Sequence, residues 1–333
     1  MPNSVSVVIT CHNLADYIGL AIESVLAQDY LGFVEVLVID DCSTDESNVV
    51  IGSYKNIRCV RSDRNLGVLL ATVLGLESTT GDLVFFLDGD DIWEPTKLST
   101  IVERFESDPS LGFVTHDLSY IDGTGHLLGR ISRSGMVMND ISSSCESTII
   151  RDGILLHSDY VWLGSAYSVQ RKLANLNEFC VFAKALPDPF NTYQDWPLGF
   201  WVACQPGVRC GYVSQKLLRY RLHGANHSGD ATSEKKAVRN FGRSRNTMQA
   251  IDEIAKRFVA DTHVKEVTRQ KLCFYSYLHA LYLGFRWRAT KEFVANMPYI
   301  TSTATLFWKE SVRFAGVQIL GVKHFIRLTR TLK

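Results

Sequence analysis

Three acidic residues within four positions are the feature of this sequence most able to do chemistry. Asp88, Asp90 and Asp91 follow an apolar run at 83–87 that is typical of a buried strand. Carboxylates this close repel one another unless a cation is present, and their oxygens are ligands that Mg²⁺ and Mn²⁺ prefer. A bound metal would also attract a phosphate-bearing substrate. Because Asp and Gly also form turns, the cluster alone fits a metal site and a plain turn equally well.

Two further polar clusters follow strand-like runs, at 10–13 and 40–45. In an open parallel sheet, ligands bind beyond the carboxyl ends of the strands, so we expect the three clusters to meet in one site. The first strand is not followed by GxGxxG, and the chain has no GxxxxGK[ST] motif. The common dinucleotide and P-loop sites are therefore not supported.

Strand and helix patterns alternate through the first 116 residues. Strands are predicted at 5–10, 34–39, 56–60, 83–87 and 113–116, and helices at 15–28, 66–78 and 95–107, with a short helix after Ser43 or Thr44 as its N-cap. This alternation predicts an α/β fold with a mostly parallel central sheet covered on both faces. Residues 161–225 are predicted to mix short strands and loops, and the chain from about residue 232 is predicted to be helical.

Charge divides the chain into two parts. The totals balance at 35 Lys and Arg against 35 Asp and Glu, but residues 231–333 contain 19 basic and 7 acidic residues, an excess of 12 positive charges. Residues 1–230 contain 16 basic and 28 acidic residues, an equal negative excess. The division predicts an acidic body over 1–230 and a basic, mainly helical region over 231–333. The acidic body argues against nucleic acid as a partner.

The cysteines and the amino terminus bear on the cellular compartment. The eight cysteines form no CxxC pair and show no zinc-type spacing, which favours free thiols in a reducing cytoplasm. The first residues lack the pattern of a signal peptide, and no segment reaches the roughly 20 apolar residues of a spanning helix. We expect a cytoplasmic protein.

Several blocks of sequence resemble family 2 glycosyltransferases in order and spacing. The specific blocks are 5–13, 21–28, 38–45, 65–67 and 86–93, and weaker ones are 162–165 with Arg171, 194–196, and 220–223 with Asn226 and Ser228. The resemblance covers about residues 4–228. It implies the GT-A nucleotide-sugar-binding fold for the catalytic domain, placed at residues 1–230. No motif covers the last hundred residues.

The resemblance implies metal-dependent, inverting transfer of a sugar from a nucleotide donor, usually a UDP-sugar, to a hydroxyl group. It assigns donor contacts to Thr10, His12, Asn13, Asp40, Asp41, Arg64, Asn65, Asp88 and Arg221. It assigns Mn²⁺ or Mg²⁺ to Asp90 with Asp88 and His223, and makes Asp195 the general base. Weaker acceptor assignments fall on Trp162, Gly164, Ser165, Arg171 and Trp196. A base close to metal-binding carboxylates is expected to have a raised pKa.

Three positions depart from the family pattern. Thr72 and Val73 stand where the family often has Arg and Asn, so a contact to the diphosphate or base is either missing or supplied by Arg64. Gln194 stands where Glu is frequent, and His12 stands where Tyr is frequent.

Two other functions share parts of the pattern. A sugar-nucleotidyltransferase would have a phosphate loop rich in Gly and Lys or Arg near the first strand, which residues 10–20 lack. A non-catalytic nucleotide-sugar-binding module would not need Asp88, Asp90 and Asp195 together. Asp195 also has a purely structural interpretation, as the cap of a helix beginning at Trp196.

The expected partners are a nucleotide-sugar donor and a glycan or lipid-linked acceptor, in bacterial cell-surface polysaccharide synthesis. A helical wheel of 312–330 places basic residues on one arc and apolar residues on the other. Such a helix can lie in an anionic membrane surface, which predicts peripheral contact through residues 285–333 on the inner face of the plasma membrane. Packing of the basic region on the acidic body is the competing prediction.

Overall fold

The computed structural model describes residues 4–129, 144–146, 163–223, 233–297 and 304–331. The chain divides into two compact units, Met1–Gly224 and Ala225–Lys333. This division lies close to residue 230, where the charge pattern places a boundary.

The described strands of the first unit form one mostly parallel sheet. They are β1 Val5–Cys11, β2 Val34–Asp40, β3 Arg58–Arg61, β4 Leu83–Asp88, β5 Ile92–Trp93, β6 Leu111–Asp122, β7 Leu127–Leu128, β8 Ser144–Glu146, β9 Ser168–Gln170 and β10 Arg209–Leu222. Their order is β3-β2-β1-β4-β9-β6-β10-β5, with β7 on β6 and β8 on β10. The β1–β2, β1–β4, β2–β3 and β6–β10 pairs are parallel, whereas β9 is antiparallel to β4 and β6.

Helices cover the sheet, and burial on both faces explains its apolar strands. The described helices are α1 Ile18–Leu26, α2 Ser47–Gly52, α3 Val68–Glu77, α4 Lys97–Ser107, α5 Leu176–Lys184 and α6 Asp195–Ala203. Ile22 of α1 and Phe105 of α4 join one core cluster with Val7 and Phe85 of the sheet. Strands buried on both faces favour apolar side chains at nearly every position, so β4 is a continuous apolar run at 83–87 and β1 is apolar except at Ser6 and Thr10.

The short helix after β2 begins later than the sequence indicates. It starts at Ser47, where an Asp45 carboxylate oxygen accepts the Ser47 backbone N–H at 3.0 Å. The Ser43 hydroxyl instead accepts the Asn13 backbone N–H at 3.0 Å, and the Thr44 N–H donates to the Asn13 side chain at 2.7 Å. The prediction that Ser43 or Thr44 caps the helix was therefore wrong, because both residues bind the loop after β1.

Residues 163–223 are more regular than predicted. They contain α5, α6 and the 14-residue strand β10. Residues 197–203 of α6 are buried around the whole helix, so no period of 3.6 residues shows in the sequence. The pairing of β10 with β6 shifts register around Lys216, and exposed residues 214–216 interrupt the strand pattern there.

The second unit is helical over its described residues, as predicted. Its helices are α7 Glu234–Phe258, α8 Thr262–Tyr282, α9 Arg286–Ala295 and α10 Ala304–Thr331. Ser233 caps α7 by accepting the Lys236 N–H at 3.2 Å, and Asp261 caps α8 by accepting the His263 N–H at 2.7 Å. Among the described helices, none combines the length and the hydropathy of a membrane span.

The apolar face of the last helix packs inside the second unit. Helix α10 is interrupted at Gly321, which has a φ of 75°. Val322 and Phe325 are buried in a cluster with Tyr277, and Phe314 packs against that cluster. The prediction that this face is free to lie on a membrane was therefore wrong for these residues. Ile326 and Leu328 have side chains outside the described set.

Candidate functional site

The carboxyl ends of β1, β2 and β4 bring the predicted polar clusters to one edge of the sheet. Thr10 is the register partner of Asp88, and Cys11 is the partner of Asp40. The Thr10 hydroxyl donates to Oδ1 of Asp88 at 3.1 Å. The parallel register thus fixes which side chains share the site.

Three accessible polar side chains form the part of this edge next to β1 and β2. Nδ1 of His12 lies 2.7 Å from the backbone oxygen of Asp41, so this nitrogen carries the proton. Nε2 then accepts from the side-chain amide of Asn65 at 3.0 Å, and the Asn13 amide lies 3.2 Å away. Asn13 has a φ of 55° and is held there by the 43–44 loop. Because His12 is partly exposed and both Asn residues are exposed, a ligand can reach them.

Asp40 and Asp41 lie behind this surface. The Asp41 carboxylate accepts the N–H groups of Leu66 at 2.7 Å and Gly67 at 2.9 Å, together with the Ser62 hydroxyl at 3.0 Å. Asp40 is fully buried and accepts the Ser43 N–H at 2.9 Å. The Asp41 contacts make that carboxylate part of the framework of the loop that carries Asn65. Oδ2 of Asp40 accepts no hydrogen bond and lies 3.5 Å from Nε of Arg61. The donor contacts expected of both residues stay predictions. Arg64, on the same loop as Asn65, is exposed.

A carboxylate and an imidazole meet where a metal was expected. Nε2 of His223 lies 2.9 Å from Oδ2 of Asp90, and the His223 ring packs on Tyr17 with centroids 4.8 Å apart. The described residues contain no group of three His, Cys, Asp or Glu side chains arranged around a common metal position. Mg²⁺ bound beside phosphates commonly takes one or two carboxylates and fills its shell with phosphate oxygens and water. Asp90 and His223, with Asp88 two residues away, fit a divalent ion that the donor helps to bind.

Arg221 supports the loop that carries Asp90. Its Nε donates to the Asp90 backbone oxygen at 2.7 Å, and its backbone N–H donates to Asp91 at 2.9 Å. The guanidinium carbon lies 4.8 Å from the centre of the Tyr17 ring. Arg221 is only 1% exposed, so the structure gives it a supporting position in place of the predicted donor contact.

Asp195 is the first residue of α6, and its environment disfavours its charged form. Oδ1 accepts the N–H of the next residue, Trp196, at 3.0 Å. The prediction that Asp195 caps a helix beginning at Trp196 was wrong, because Gln194 occupies the cap position and Asp195 is already helical. Burial raises the pKa of Asp195 to about 7, with a smaller contribution from the Asp88 carboxylate. The raised pKa expected from the sequence is confirmed, but burial is its main cause. Burial followed by the Asp90 charge likewise raises the pKa of Asp88 to about 6.

Two positions that depart from the family pattern contact each other. The Thr72 hydroxyl lies 2.6 Å from Oε1 of Gln194, and Nε2 of Gln194 donates to Oδ1 of Asp88 at 3.2 Å. An ionised Asp88 accepts hydrogen bonds only, so the Gln194 amide must face it with its nitrogen, and the Thr72 hydroxyl matches the oxygen. Where Arg and Glu are frequent in the family, this chain has a neutral pair that links α3, the start of α6 and Asp88.

A buried frame supports Asp88 from the side away from solvent. The Ser165 hydroxyl oxygen accepts the Asp88 N–H at 2.9 Å, and the Ser165 carbonyl accepts from Lys97 Nζ at 2.6 Å. Nζ also lies 4.1 Å from the centre of the Trp93 ring. Burial holds the pKa of Lys97 well below its usual range. Because Ser165 is fully buried, it cannot contact an acceptor as the sequence suggests.

The other residues that the sequence assigns to the acceptor lie in different parts of the first unit or outside the described residues. Gly164 lies against the Gln194 side chain, where a Cβ would collide with the amide. The Arg171 guanidinium donates to the carbonyls of Gly81 and Leu76, next to the amino end of β4. That end is about 16 Å from Asp88 along the strand, so Arg171 lies outside the site. Trp162 lies outside the described residues, and Trp196 is partly exposed beside Asp195.

Sequence reasoning missed three residues that shape the site. Lys97 precedes Ile101 and Phe105 at intervals of four, so its place on the apolar face of α4 was visible in the sequence. Thr72 and Gln194 were visible only as departures from the family pattern. No local signal indicated that they touch, because 122 positions separate them.

The comparisons agree with the sequence resemblance. The family model described as Glycosyl transferase family 2 matches residues 6–145. A protein of Nostoc sp. (strain PCC 7120), named uncharacterized glycosyltransferase alr2836, is 32% identical over 248 residues, covering 72% of this chain and 71% of that protein. The Escherichia coli protein WfaP, named a UDP-Glc:alpha-D-GlcNAc-diphosphoundecaprenol beta-1,3-glucosyltransferase, is 30% identical over 155 residues, covering 44% of this chain and 60% of that protein.

A solved structure shows the same fold. S. aureus TarS, as the 1–349 fragment in complex with UDP-GlcNAc, has a TM-score of 0.56 at 15% identity, covering 90% of this chain and 92% of that chain. The mostly parallel sheet followed by carboxyl-terminal helices is thus a glycosyltransferase architecture, as expected. The alternatives of a nucleotidyltransferase and a non-catalytic module receive no support. The chain is a glycosyltransferase and belongs to glycosyl transferase family 2.

Proposed function

We propose that this glycosyltransferase transfers a sugar from a UDP-sugar to a hydroxyl of a lipid-linked saccharide, with inversion and with the help of a divalent ion. The observation that carries the proposal is the position of Asp195. A carboxylate with a pKa near 7 lies at the start of α6, one residue from the Gln194 that binds Asp88. A proton acceptor is therefore close to the acidic cluster that suits a metal and a diphosphate.

Asp195 acts on the acceptor in this proposal. Its carboxylate takes the proton of the acceptor hydroxyl as that oxygen attacks the anomeric carbon of the donor from the face opposite the diphosphate. The bond from that carbon to the diphosphate oxygen breaks, and UDP leaves with the electron pair. One direct displacement inverts the configuration. A base with a pKa near the working pH is effective because it is mostly ionised yet still basic.

The donor lies along the edge formed by β1, β2 and β4. Thr10, His12, Asn13 and Asn65 surround the nucleoside, and Arg64 reaches its base or phosphates. Mn²⁺ or Mg²⁺ held by Asp90 and His223, with Asp88 close by, would neutralise the charge on the departing diphosphate. Without that ion, three neighbouring Asp residues would repel the donor.

A relative supports the proposed acceptor class, because the WfaP name specifies a diphosphoundecaprenol-linked sugar and a UDP-sugar. The UDP-GlcNAc complex of TarS agrees with the donor class. A lipid-linked acceptor lies in a bilayer, so we propose that the chain works as a peripheral protein on the inner face of the plasma membrane. The acceptor saccharide approaches Asp195 beside Trp196.

A matched panel tests the proposal. The intact chain is incubated with UDP- and GDP-sugars and with polyprenyl-diphosphate saccharides, in the presence of Mn²⁺, Mg²⁺ or a chelator. We expect UDP release that requires both the lipid-linked acceptor and the ion, and a product of inverted configuration by NMR. Turnover of a GDP-sugar alone, or transfer unaffected by the chelator, would contradict the donor or the metal assignment respectively.

A further inference from the structure

The junction of α8 and α9 exposes large apolar side chains between arginines. All six residues at 283–288 are exposed, and their sequence is Leu-Gly-Phe-Arg-Trp-Arg. Trp287 is 83% exposed and Phe285 is 55% exposed. We call residues 283–288 the aromatic–arginine corner. Single exposed apolar residues are ordinary, but here three large ones lie within five positions.

The corner is held by backbone geometry and is not a loose loop. The Phe285 N–H donates to the Ala280 carbonyl at 3.1 Å, and the Gly284 N–H donates to the Leu281 carbonyl at 3.1 Å. These two bonds and the Gly284 φ of 76° form a Schellman motif that ends α8. The Ala289 N–H then donates to the Phe285 carbonyl at 2.8 Å, which begins α9 at once. The backbone that carries the exposed aromatic side chains is therefore fixed.

Helix α9 extends the same exposed surface. Its inner face contains Ala289, which is buried, and Phe293, which packs into the core of the second unit. Trp287, Lys291 and Val294 lie at intervals of four and three on its exposed side. The corner and this helix face together present aromatic, aliphatic and basic side chains.

We propose that the aromatic–arginine corner docks on the surface of an anionic phospholipid bilayer. Trp prefers the interface between lipid tails and headgroups, where its ring is half-solvated, and Arg binds lipid phosphates with its planar fork. A second copy of the chain is a poor occupant, because pairing the surface with itself would place like charges together. The positive side chains are Arg286, Arg288 and Lys291. An anionic membrane complements those charges.

The inference deepens the proposed function and rests on it in one respect: the proposed lipid-linked acceptor places the reaction at a bilayer. It also narrows the predicted membrane contact. The sequence predicts contact through residues 285–333, and within that region Val322 and Phe325 on the apolar face of α10 are buried. The corner lies within the predicted 285–333 region except for its first two residues, and it supplies exposed aromatic side chains beside arginines.

Vesicle flotation of the intact chain tests the surface without any turnover. We expect the chain to float with phosphatidylglycerol–phosphatidylcholine vesicles, to float far less with pure phosphatidylcholine, and to be released by salt. The paired change Arg286→Gln with Arg288→Gln should weaken binding roughly 25-fold, about fivefold for each charge. Phe285→Ser with Trp287→Ser should weaken it by about tenfold or more.

Matched controls distinguish membrane binding by the corner from a general effect of positive charge or exposed hydrophobic residues. Lys235→Gln with Arg239→Gln removes two exposed positive charges from the same unit, and Leu31→Ser with Phe33→Ser removes two exposed apolar residues from the first unit. We expect both control pairs to float like the unchanged chain. Thermal unfolding and UDP binding should be the same for all four variants, since every changed side chain is exposed.

Several results would overturn the proposal. The unchanged chain would contradict it by failing to float, or by floating equally well with neutral vesicles. The variants would contradict it if the corner variants floated normally, or if the controls lost binding as the corner variants do. Self-association that the Phe285 and Trp287 changes abolish, without flotation, would assign the surface to a second copy. A chain that modifies a soluble acceptor but never floats would refute the corner alone. A chain that floats but transfers no sugar would refute the proposed function alone.

Discussion

At the scale of residues, a neutral amide stands next to the base. Gln194 connects Thr72 to Asp88 by hydrogen bonds of 2.6 and 3.2 Å, immediately before Asp195. A Glu at this position would place a second carboxylate against Asp88. The Gln194 amide therefore supplies a donor to Asp88 that an ionised Glu would lack.

Gln194→Glu should impair transfer while leaving the fold intact. The change removes a hydrogen bond to a charged group, which is typically worth about 1.5–3 kcal/mol, so kcat/KM should fall roughly tenfold to a hundredfold. The measurement is steady-state transfer beside a calorimetric titration with UDP and Mn²⁺. Gln215→Glu is the control, because Gln215 is exposed in the irregular part of β10. Equal kcat/KM for Gln194→Glu and the unchanged chain would show that the hydrogen bond from Gln194 to Asp88 does not contribute to transfer.

We expect the ionisation of Asp195 to set the pH dependence of the transfer rate. A general base must be ionised, and the pKa of this carboxyl is raised to about 7. We expect kcat/KM to rise about tenfold per pH unit below neutrality and to level off above about pH 7. The test is a pH profile of transfer with the ion held saturating. A rate that is unchanged on both sides of neutrality would assign proton removal to another group.

At the scale of elements, the turn from β3 into α3 depends on one glycine. Gly67 precedes α3 with φ 77° and ψ 158°, a backbone region that is essentially limited to glycine. A Cβ there would also collide with the Phe190 backbone. Its N–H donates to Asp41, so this turn positions the loop with Asn65.

Gly67→Ala should lower stability and donor affinity together. The strained backbone costs about 1–3 kcal/mol in the folded state, and relief of that strain would displace the loop that carries Asn65 and Arg64. Thermal unfolding and UDP titration measure the two effects. Gly52→Ala is the matched control, since Gly52 is exposed in α2 with nothing near its Cβ direction. An unchanged Tm for Gly67→Ala would show that the turn tolerates a side chain.

Elements with a regular pattern could be predicted from the sequence, and the others could not. The apolar runs of β1, β2 and β4 and the helical spacing of α1 and α4 led to the correct fold and brought Thr10 and Asp88 together. Helix α6 is apolar on all sides and β10 is irregular at Lys216, so neither shows its period. The roles of Asp41, Ser165 and Arg221 depend on contacts with distant parts of the chain, which no local pattern reveals.

At the scale of the whole molecule, the unequal distribution of charge has two consequences. The acidic residues 1–230 include the carboxylates proposed to bind a metal, and the basic residues 231–333 include the corner proposed to bind anionic lipid. An anionic donor and an acidic unit repel one another over distances comparable to the Debye length. A divalent ion at Asp90 reverses that field locally.

Metal removal should therefore weaken donor binding as well as turnover. We expect chelation to reduce the affinity for UDP by at least tenfold, and Mn²⁺ or Mg²⁺ to restore it. Calorimetric titration with and without chelator measures this directly. The Asp90→Asn chain, titrated in Mn²⁺, should resemble the chelated one. UDP binding of equal strength in chelator and in Mn²⁺ would show that donor binding does not need a divalent ion.

The most direct test of the central claim is Asp195→Asn, measured for both transfer and binding. The change keeps the oxygen that accepts the Trp196 N–H and removes only the basic carboxylate. We predict that the transfer rate falls by about 10²–10⁴-fold, while UDP still binds in Mn²⁺ with its original affinity. Transfer at the original rate in this variant would contradict the assignment of Asp195 as the general base.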